Sequence, residues 1–128
     1  SICYDLRFPE LFRRLNAAGA IFFSIPAAFT MTTGKAHWES LLRARAIENG
    51  CFVFAPAQCG LNTENRRTFG NSMIIDPWGN IIARAKTKPT VIKAKINTEE
   101  IYKIRKTLPS VKNFDILSLK NYPVAQNK

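Results

Sequence analysis

Two short, uninterrupted apolar segments constrain the fold of this chain more than any other feature. Residues 20–25 read AIFFSI, bounded by Gly19 and Pro26, and residues 51–57 read CFVFAPA, preceded by Gly50. Such runs are typical of buried strands in a sheet that is covered on at least one face. Each run follows a segment with helical periodicity, over Pro9–Ala18 and over Ala36–Asn49. Two helix–strand alternations in succession predict a layered α/β arrangement.

A hairpin is predicted in the middle of the chain. Residues 71–76 and 81–85 are predicted to be the two strands of a hairpin around the sequence DPWGN, which begins at Asp76. Proline in the second turn position and glycine in the fourth fit a type I turn. The segment Gln58–Thr68, which precedes this hairpin, is polar and is predicted to be a loop.

An edge strand and a third helix are predicted towards the end of the domain. Thr90–Ile96 alternates between apolar and lysine side chains, which is typical of a half-exposed strand near a sheet edge. A helix begins at the capping residue Asn97 or Thr98. We assign residues 1–109 to one domain, and residues 110–128, which have no clear period, to a C-terminal arm or tail.

A cysteine at a predicted strand-to-helix corner is the strongest chemical signal in the chain. The sequence begins SICYD, so that an apolar stub leads into Cys3, a short polar turn and the helix that starts at Pro9. The thiolate is the attacking form of cysteine, and a helix N-terminus and cations such as Arg7 stabilise it. The same corner predicts the backbone N–H of Tyr4 as a donor to a developing oxyanion.

A base for this cysteine is harder to find within the chain. A cysteine hydrolase needs a histidine or carboxylate within hydrogen-bond reach of its thiol. His37 is a candidate, and we favour local packing at the start of its helix over a catalytic role. Asp5 and Glu10 are the nearest acids, and turn formation and helix capping explain both. Activation by the α-amine requires the first position of the chain, which excludes that chemistry for Cys3.

Composition restricts the compartment and the kind of site. Three cysteines and one histidine, with no C-x-x-C pair, form neither a disulfide framework nor a metal site. We therefore predict a cytoplasmic protein without metal, in which Cys51 and Cys59 are small packing residues. No apolar run is long enough to span a bilayer, so no membrane association is expected.

The net charge of +10 is concentrated in one part of the sequence. Residues 86–128 hold ten Lys/Arg and three acids. This excess fits either a nucleic-acid patch or lysines scattered over solvent-facing elements. No nucleic-acid-binding motif accompanies the lysines, so we favour the second interpretation and expect no nucleic-acid partner.

Five short motifs follow one another along the chain. They are CYDLRFPEL from Cys3, PAAFT from Pro26, HWE from His37 together with LRARAIEN from Leu42, GNSM from Gly70, and DPWG from Asp76. Over about residues 1–109 this order resembles the nitrilase superfamily, the carbon-nitrogen hydrolases. Within it, the sequence is most similar to the Nit branch, which includes omega-amidase and the amidase acting on deaminated glutathione.

The resemblance implies a fold and a chemistry. The fold is α/β, an α-β-β-α sandwich of which this chain matches the C-terminal half. The chemistry is hydrolysis of a small-molecule amide through a thioester on Cys3, with the Tyr4 N–H as one oxyanion donor and without metal or organic cofactor. One loop falls on the wall of the substrate pocket, formed by Pro26, Ala27, Ala28, Phe29 and Thr30.

The resemblance also implies a homo-oligomer. In complete family members, the helices that correspond to those starting at Pro9 and His37 lie on the face that pairs subunits. Glu39, Arg43 and Arg45 are therefore the predicted interface residues.

Departures from the family pattern limit the functional prediction. The family's general-base glutamate, a supporting glutamate and an oxyanion lysine lie upstream of the nucleophile, whereas only two residues precede Cys3. Asn71 stands where the Nit branch commonly has a histidine.

We therefore expect a chain truncated at its N-terminus. It would be inactive alone and would act as an amidase only with the other half, in cis or in trans. The alternative is a non-catalytic remnant of a split or truncated gene that keeps only a dimerisation surface, and a basic binding module is a third hypothesis.

Overall fold

The computed structural model describes residues 1–63 and 66–114. Two irregular helical turns are present, a 3₁₀-helical turn over Cys3–Arg7, here named the elbow turn, and a π-helical turn over Gly34–Trp38. The helices are α1 (Pro9–Ala17), α2 (Met31–Thr33), α3 (Glu39–Asn49), α4 (Glu99–Thr107) and α5 (Ser110–Phe114). The strands are β1 (Phe22–Ser24), β2 (Phe52–Ala55), β3 (Cys59–Thr63), β4 (Arg66–Phe69), β5 (Met73–Ile75) and β6 (Ile81–Arg84). Within the described residues, no helix combines the length and apolarity that crossing a bilayer requires.

Four strands form one mixed sheet in the order β1-β2-β5-β6. β1 and β2 run parallel, with Phe23 opposite Val53, and β5 pairs antiparallel with both β2 and β6. A parallel pair needs a crossover between its strands, and α2, the π-helical turn and α3 supply it. Both strands, the hairpin and the layered α/β arrangement predicted from the sequence are confirmed. Of the two strands predicted to be buried, β2 is buried, whereas β1 lies at the sheet edge and buries only Phe23.

The core lies between one face of this sheet and helices α1 and α3. Phe12 of α1 is fully buried and meets Phe23 of β1 edge-on, with ring centroids 5.1 Å apart. Leu42 of α3 and Val53 of β2 belong to the same buried cluster. Burial of each such side chain contributes about 1.5–3 kcal/mol, so these contacts hold the helices on the sheet.

The opposite face of the sheet is aromatic rather than polar. Phe22 of β1 stacks on Phe52 of β2 with centroids 5.8 Å apart and tilts against Phe54 at 5.7 Å. Phe22 remains 39% exposed. An apolar second face is what a sheet shows when it packs against another sheet, as in an α-β-β-α sandwich.

The segment predicted to be a polar loop is a hairpin instead. β3 and β4 pair antiparallel, with Cys59 opposite Phe69 and Gly60 opposite Thr68. Thr68 is buried, and its hydroxyl donates to the Gly60 carbonyl at 3.3 Å. The prediction was wrong because backbone ladder bonds and one buried hydroxyl hold this hairpin, and neither leaves an alternating apolar pattern.

The edge strand predicted over Thr90–Ile96 is not formed. Burial alternates along the segment as the pattern requires, with Ile92 and Ile96 partly buried and Lys93 exposed. However, the segment pairs with no strand in the described part of the chain. An alternating sequence determines which side chains face inward, but it does not supply a neighbouring strand.

The predicted helices are present with shifted ends. The helix expected from Ala36 begins earlier as a sequence of short turns, and Thr30 caps it by accepting the Thr33 N–H at 3.3 Å. Gly50 ends α3 in the left-handed region, at φ +55°. Of the predicted arm, residues 110–114 form α5, and residues 115–128 lie outside the described residues.

Candidate active site

Cys3 lies on a strained backbone corner. Its φ of +46° falls in the left-handed region, where a non-glycine residue costs about 1–2 kcal/mol. The preceding residue, Ile2, is extended, and the elbow turn begins at Cys3 itself. The chain thus changes direction at the thiol, which is partly buried at the margin of the core. Such strain persists where the surrounding structure enforces it, and it is typical of nucleophile elbows.

Two hydrogen bonds enforce this corner from its N-terminal side. The Cys3 N–H donates to the Pro26 carbonyl at 2.8 Å. The Ile2 N–H donates to the Asp5 carboxylate at 2.7 Å, so Asp5 closes the turn as the sequence predicted. The backbone of the candidate nucleophile is therefore tied to the loop that follows β1.

Tyr4 occupies the second position of the elbow turn. The first N–H groups of a helix have no intrahelical acceptor, and the first bond of this turn runs from Asp5 N–H to the Ile2 carbonyl at 3.0 Å. The Tyr4 N–H is thus one of the backbone N–H groups at the start of this turn that can donate to a ligand beside Cys3. The Tyr4 ring is 65% exposed and lies 5.8 Å from the Phe8 ring.

The loop predicted to form the substrate wall runs directly beside the elbow turn. Several backbone bonds hold it. Among them, the Ala27 N–H donates to the Pro56 carbonyl at 3.0 Å, and the Phe69 N–H donates to the Phe29 carbonyl at 2.9 Å. Ala27 and Phe29 are buried and serve packing. The exposed or half-exposed members of the loop, which are free to contact a ligand, are Pro26, Ala28 and Thr30.

Arg7 brings positive charge to the same region. Its guanidinium lies 5.4 Å from the Tyr4 ring centroid and 5.3 Å from that of Phe29. Its Nη1 is 3.3 Å from Nδ1 of His37. Because arginine only donates, that imidazole nitrogen acts as the acceptor. His37 is therefore engaged by Arg7, in agreement with the local packing role that we favoured.

The three predicted interface residues are not brought together. Glu39 and Arg43 are partly exposed and 3.8 Å apart, and Glu39 also pairs with Arg84 of β6. Arg43 donates from Nε to the Gly79 carbonyl at 2.9 Å. Arg45 lies elsewhere: it is 4% exposed and contacts the elbow turn from beneath. Glu39 and Arg43 thus share an outer face, whereas Arg45 points into the chain.

Arg105 of α4 is a structural residue that the sequence analysis missed. Its guanidinium donates to the Gly50 carbonyl at 3.2 Å and to the Ala20 carbonyl at 3.1 Å, and lies 3.1 Å from the Cys51 sulfur. These contacts join α4 to the starts of both parallel strands. The partners are more than 50 residues away along the chain, so no local pattern signals them.

Cys51 provides a pH-dependent test of this packing. Burial raises the pKa of the Cys51 thiol, and the Arg105 charge and hydrogen bond oppose that rise without cancelling it. Above about pH 9 the unfolded chain releases this proton first, so the folded state loses stability as the pH rises. As the pH rises above about 9, we expect the free energy of unfolding to fall more steeply in the parent chain than in Cys51→Ala. Urea titrations at several pH values measure both slopes, and parallel slopes would contradict this account.

Comparisons with known proteins agree with the geometry. The family model described as carbon-nitrogen hydrolase matches residues 1–106. A deaminated glutathione amidase of Synechocystis sp. is 54% identical over 113 residues, which cover 88% of this chain and 42% of the relative. The chain therefore spans less than half the length of this relative.

Two solved structures extend the comparison. The crystal structure of the Caenorhabditis elegans NitFhit protein has a TM-score of 0.81 and 44% identity, covering 88% of this chain and 27% of that one. An amidase variant from Nesterenkonia sp. AN1, with the acetamide moiety of fluoroacetamide added covalently at its active-site cysteine, has a TM-score of 0.62 and 31% identity. That match covers 70% of this chain and 33% of the amidase. The α-β-β-α fold and the superfamily predicted from the motifs are confirmed, and the chain belongs to the carbon-nitrogen hydrolase family.

Proposed function

We propose that this chain supplies the nucleophile and one wall of the active site of an amidase. The reaction is hydrolysis of a non-peptide carbon–nitrogen bond in a small-molecule amide, through a thioester on Cys3. The single observation that carries this proposal is the strained elbow, which places a thiol at a helix start at φ +46°. The amidase names of the relatives favour an amide over a nitrile as substrate.

The chemistry follows from the residues at the elbow. The Cys3 sulfur, as thiolate, attacks the amide carbon, and the carbonyl oxygen becomes an oxyanion to which the Tyr4 N–H donates. The C–N bond then breaks, and the nitrogen leaves as an amine or ammonia after taking the proton that the thiol gave up. Water attacks the resulting thioester, releases the carboxylic acid and returns the thiol. The acetamide adduct on the active-site cysteine of the Nesterenkonia amidase supports the nucleophilic role of the cysteine, although that adduct forms by displacement of fluoride and is not a thioester.

Two groups for this reaction must come from outside the 128 residues. By family resemblance, a glutamate takes the thiol proton and a lysine stabilises the oxyanion, and both precede the nucleophile. His37 does not replace the glutamate, because its Nδ1 is held by Arg7 at 3.3 Å. The proposal therefore includes a second polypeptide segment, joined to this chain or provided by another. It also places Glu39 and Arg43 on the surface that pairs subunits in the complete enzyme.

A hybrid protein tests the proposal. In this hybrid amidase, the present chain replaces the matching segment of the Synechocystis relative, which contributes the remainder. We expect it to hydrolyse deaminated glutathione, and we expect the 128-residue chain alone to show no turnover above its own Cys3→Ala variant. Chromatography of the released acid and amine measures the turnover of the hybrid amidase and of the isolated chain.

Either of two outcomes would contradict the proposal. Cys3-dependent hydrolysis by the isolated chain would show that no outside glutamate or lysine is needed. A hybrid amidase that folds and assembles but does not hydrolyse the amide would favour the non-catalytic remnant.

A further inference from the structure

Arg45 binds the elbow turn through a contact that the sequence does not indicate. Its Nε lies 3.1 Å and its Nη2 2.7 Å from the same acceptor, the carbonyl oxygen of Leu6, 39 residues away. Its Nη1 pairs with Glu48 at 2.8 Å. The residue is 4% exposed, and its guanidinium lies 5.3 Å from the Phe12 ring centroid. A charge buried this deeply needs such partners to be tolerated.

The Leu6 carbonyl needs this partner because a proline lies two residues after the end of the elbow turn. In a 3₁₀ geometry the carbonyl of Leu6 would accept the N–H of the residue three positions later. That residue is Pro9, which has no N–H. Leu6 is itself fully buried, so water does not readily replace the missing donor. Arg45 supplies it, at the end of the turn where positive charge is favourable.

The elbow turn is thus held at both ends. At its start the Cys3 N–H bonds to the Pro26 carbonyl, and at its end the Leu6 carbonyl bonds to Arg45. Between these two points lie the strained φ of Cys3 and the N–H of Tyr4. Releasing one end allows the turn to relax towards ordinary dihedrals, which would move the thiol and the oxyanion donor relative to each other.

We infer that Arg45 is a positioning residue for the nucleophile, because its bidentate hydrogen bond to the Leu6 carbonyl holds the elbow turn in its strained form. This inference rests on the proposed amidase function for its catalytic consequence. It replaces the subunit interface as the main role of Arg45, because the guanidinium is already engaged within the chain. A purely structural role, in which Arg45 stabilises the whole fold equally, is the competing explanation.

Amide hydrogen exchange on the 128-residue chain separates the two explanations. The readout is the exchange rates of Cys3, Asp5 and Phe8, whose N–H groups form the bonds of the elbow turn. In Arg45→Met we expect these amides to exchange about tenfold or more faster than in the parent chain, since a hydrogen bond to a charged group is lost. Core amides of β2 should change much less. Arg45→Lys keeps the positive charge but cannot make the two-pronged hydrogen bond to the Leu6 carbonyl, so it should give an intermediate exchange rate. It also provides a second measurement if the Arg45→Met variant does not fold.

Arg43→Met is the matched control. Arg43 lies on the same helix and also donates from Nε to a backbone carbonyl, but to Gly79 in the β5–β6 turn. We expect it to accelerate exchange in that turn and not in the elbow turn. Equal acceleration of elbow and core amides in Arg45→Lys would overturn the inference, as would unchanged elbow amides in both Arg45 variants.

Kinetics of the hybrid amidase test the catalytic consequence. A misplacement of about 1 Å at a reacting group lowers the rate about 100-fold, so we expect kcat to fall about 100-fold in Arg45→Met and about tenfold in Arg45→Lys, with KM nearly unchanged. A fall in stability with kcat intact would overturn the positioning role. The exchange measurement needs no turnover. It therefore tests whether Arg45 holds the elbow turn even if the hybrid amidase is inactive and the proposed function fails.

Discussion

Cys3→Ser in the hybrid amidase is expected to lower kcat/KM at least about 1,000-fold while leaving the fold intact. An alcohol ionises far less readily than a thiol, so the serine oxygen at the same corner remains protonated and is a weak nucleophile. The substitution replaces one sulfur atom by a smaller oxygen atom. It therefore removes the nucleophile while keeping the backbone corner at φ +46° and its bond to the Pro26 carbonyl.

The matched control for this substitution is Cys59→Ser. Cys59 is also partly buried, but it lies at the start of β3, away from the elbow turn. We expect it to retain nearly full activity. Steady-state kinetics with deaminated glutathione give the activities, and thermal unfolding gives the stability of each variant. If Cys3→Ser unfolds the protein, or if it folds and keeps its activity, then Cys3 is a packing residue and the amidase proposal is wrong.

Trp38→Ala is expected to destabilise the chain by about 3–5 kcal/mol. Trp38 lies on the π-helical turn of the crossover and is fully buried, and its ring lies 4.9 Å from that of Phe29 in the loop after β1. Its Nε1 donates to the Asn71 carbonyl at 2.8 Å. Alanine would leave a large cavity and an acceptor without its donor. The resulting loss would be a sizeable fraction of the free energy of unfolding of a domain this small.

Two further variants make this prediction specific. Trp38→Phe fills most of the space but lacks the N–H, so it should cost about 1–3 kcal/mol for the lost hydrogen bond. Trp78→Ala removes the other tryptophan, which is 55% exposed, and should change stability by no more than about 0.5 kcal/mol. Urea unfolding measures all three variants. Equal effects of Trp38→Ala and Trp78→Ala would contradict the assignment of Trp38 to the core.

The Trp38 contact also explains how the chain accommodates Asn71. Asn71 has a φ of +61°, a region that asparagine tolerates better than most residues. Its side chain donates to the Phe69 carbonyl at 2.7 Å, while its backbone carbonyl accepts from Trp38. The bond to Trp38 thus comes from the main chain. A different side chain at this position need not disrupt it, provided that the backbone keeps its left-handed conformation.

The sequence predicted the elements whose side chains repeat with a clear period. The strands in residues 20–25 and 51–57 and the DPWGN hairpin were recognisable because each buries a continuous or alternating apolar face. Elements held mainly by backbone bonds were not recognisable, as the β3–β4 hairpin shows. The strand predicted over Thr90–Ile96 failed for the opposite reason. Its alternating apolar pattern is present, but no described strand lies beside it to pair with.

By itself, the sequence determined the two parallel strands, the helices that precede them and the DPWGN hairpin, and it made Cys3 the candidate nucleophile, because these inferences depend on residues close together along the chain. Only the tertiary structure decided that Arg45 reaches back 39 residues to the Leu6 carbonyl, and that Arg105 joins α4 to the starts of both parallel strands. The physical reason is that a guanidinium on a long side chain has several donors and many possible acceptors. Which acceptor it reaches depends on how helices and sheet pack, and on which buried carbonyl, such as the one three residues before Pro9, has no donor nearby.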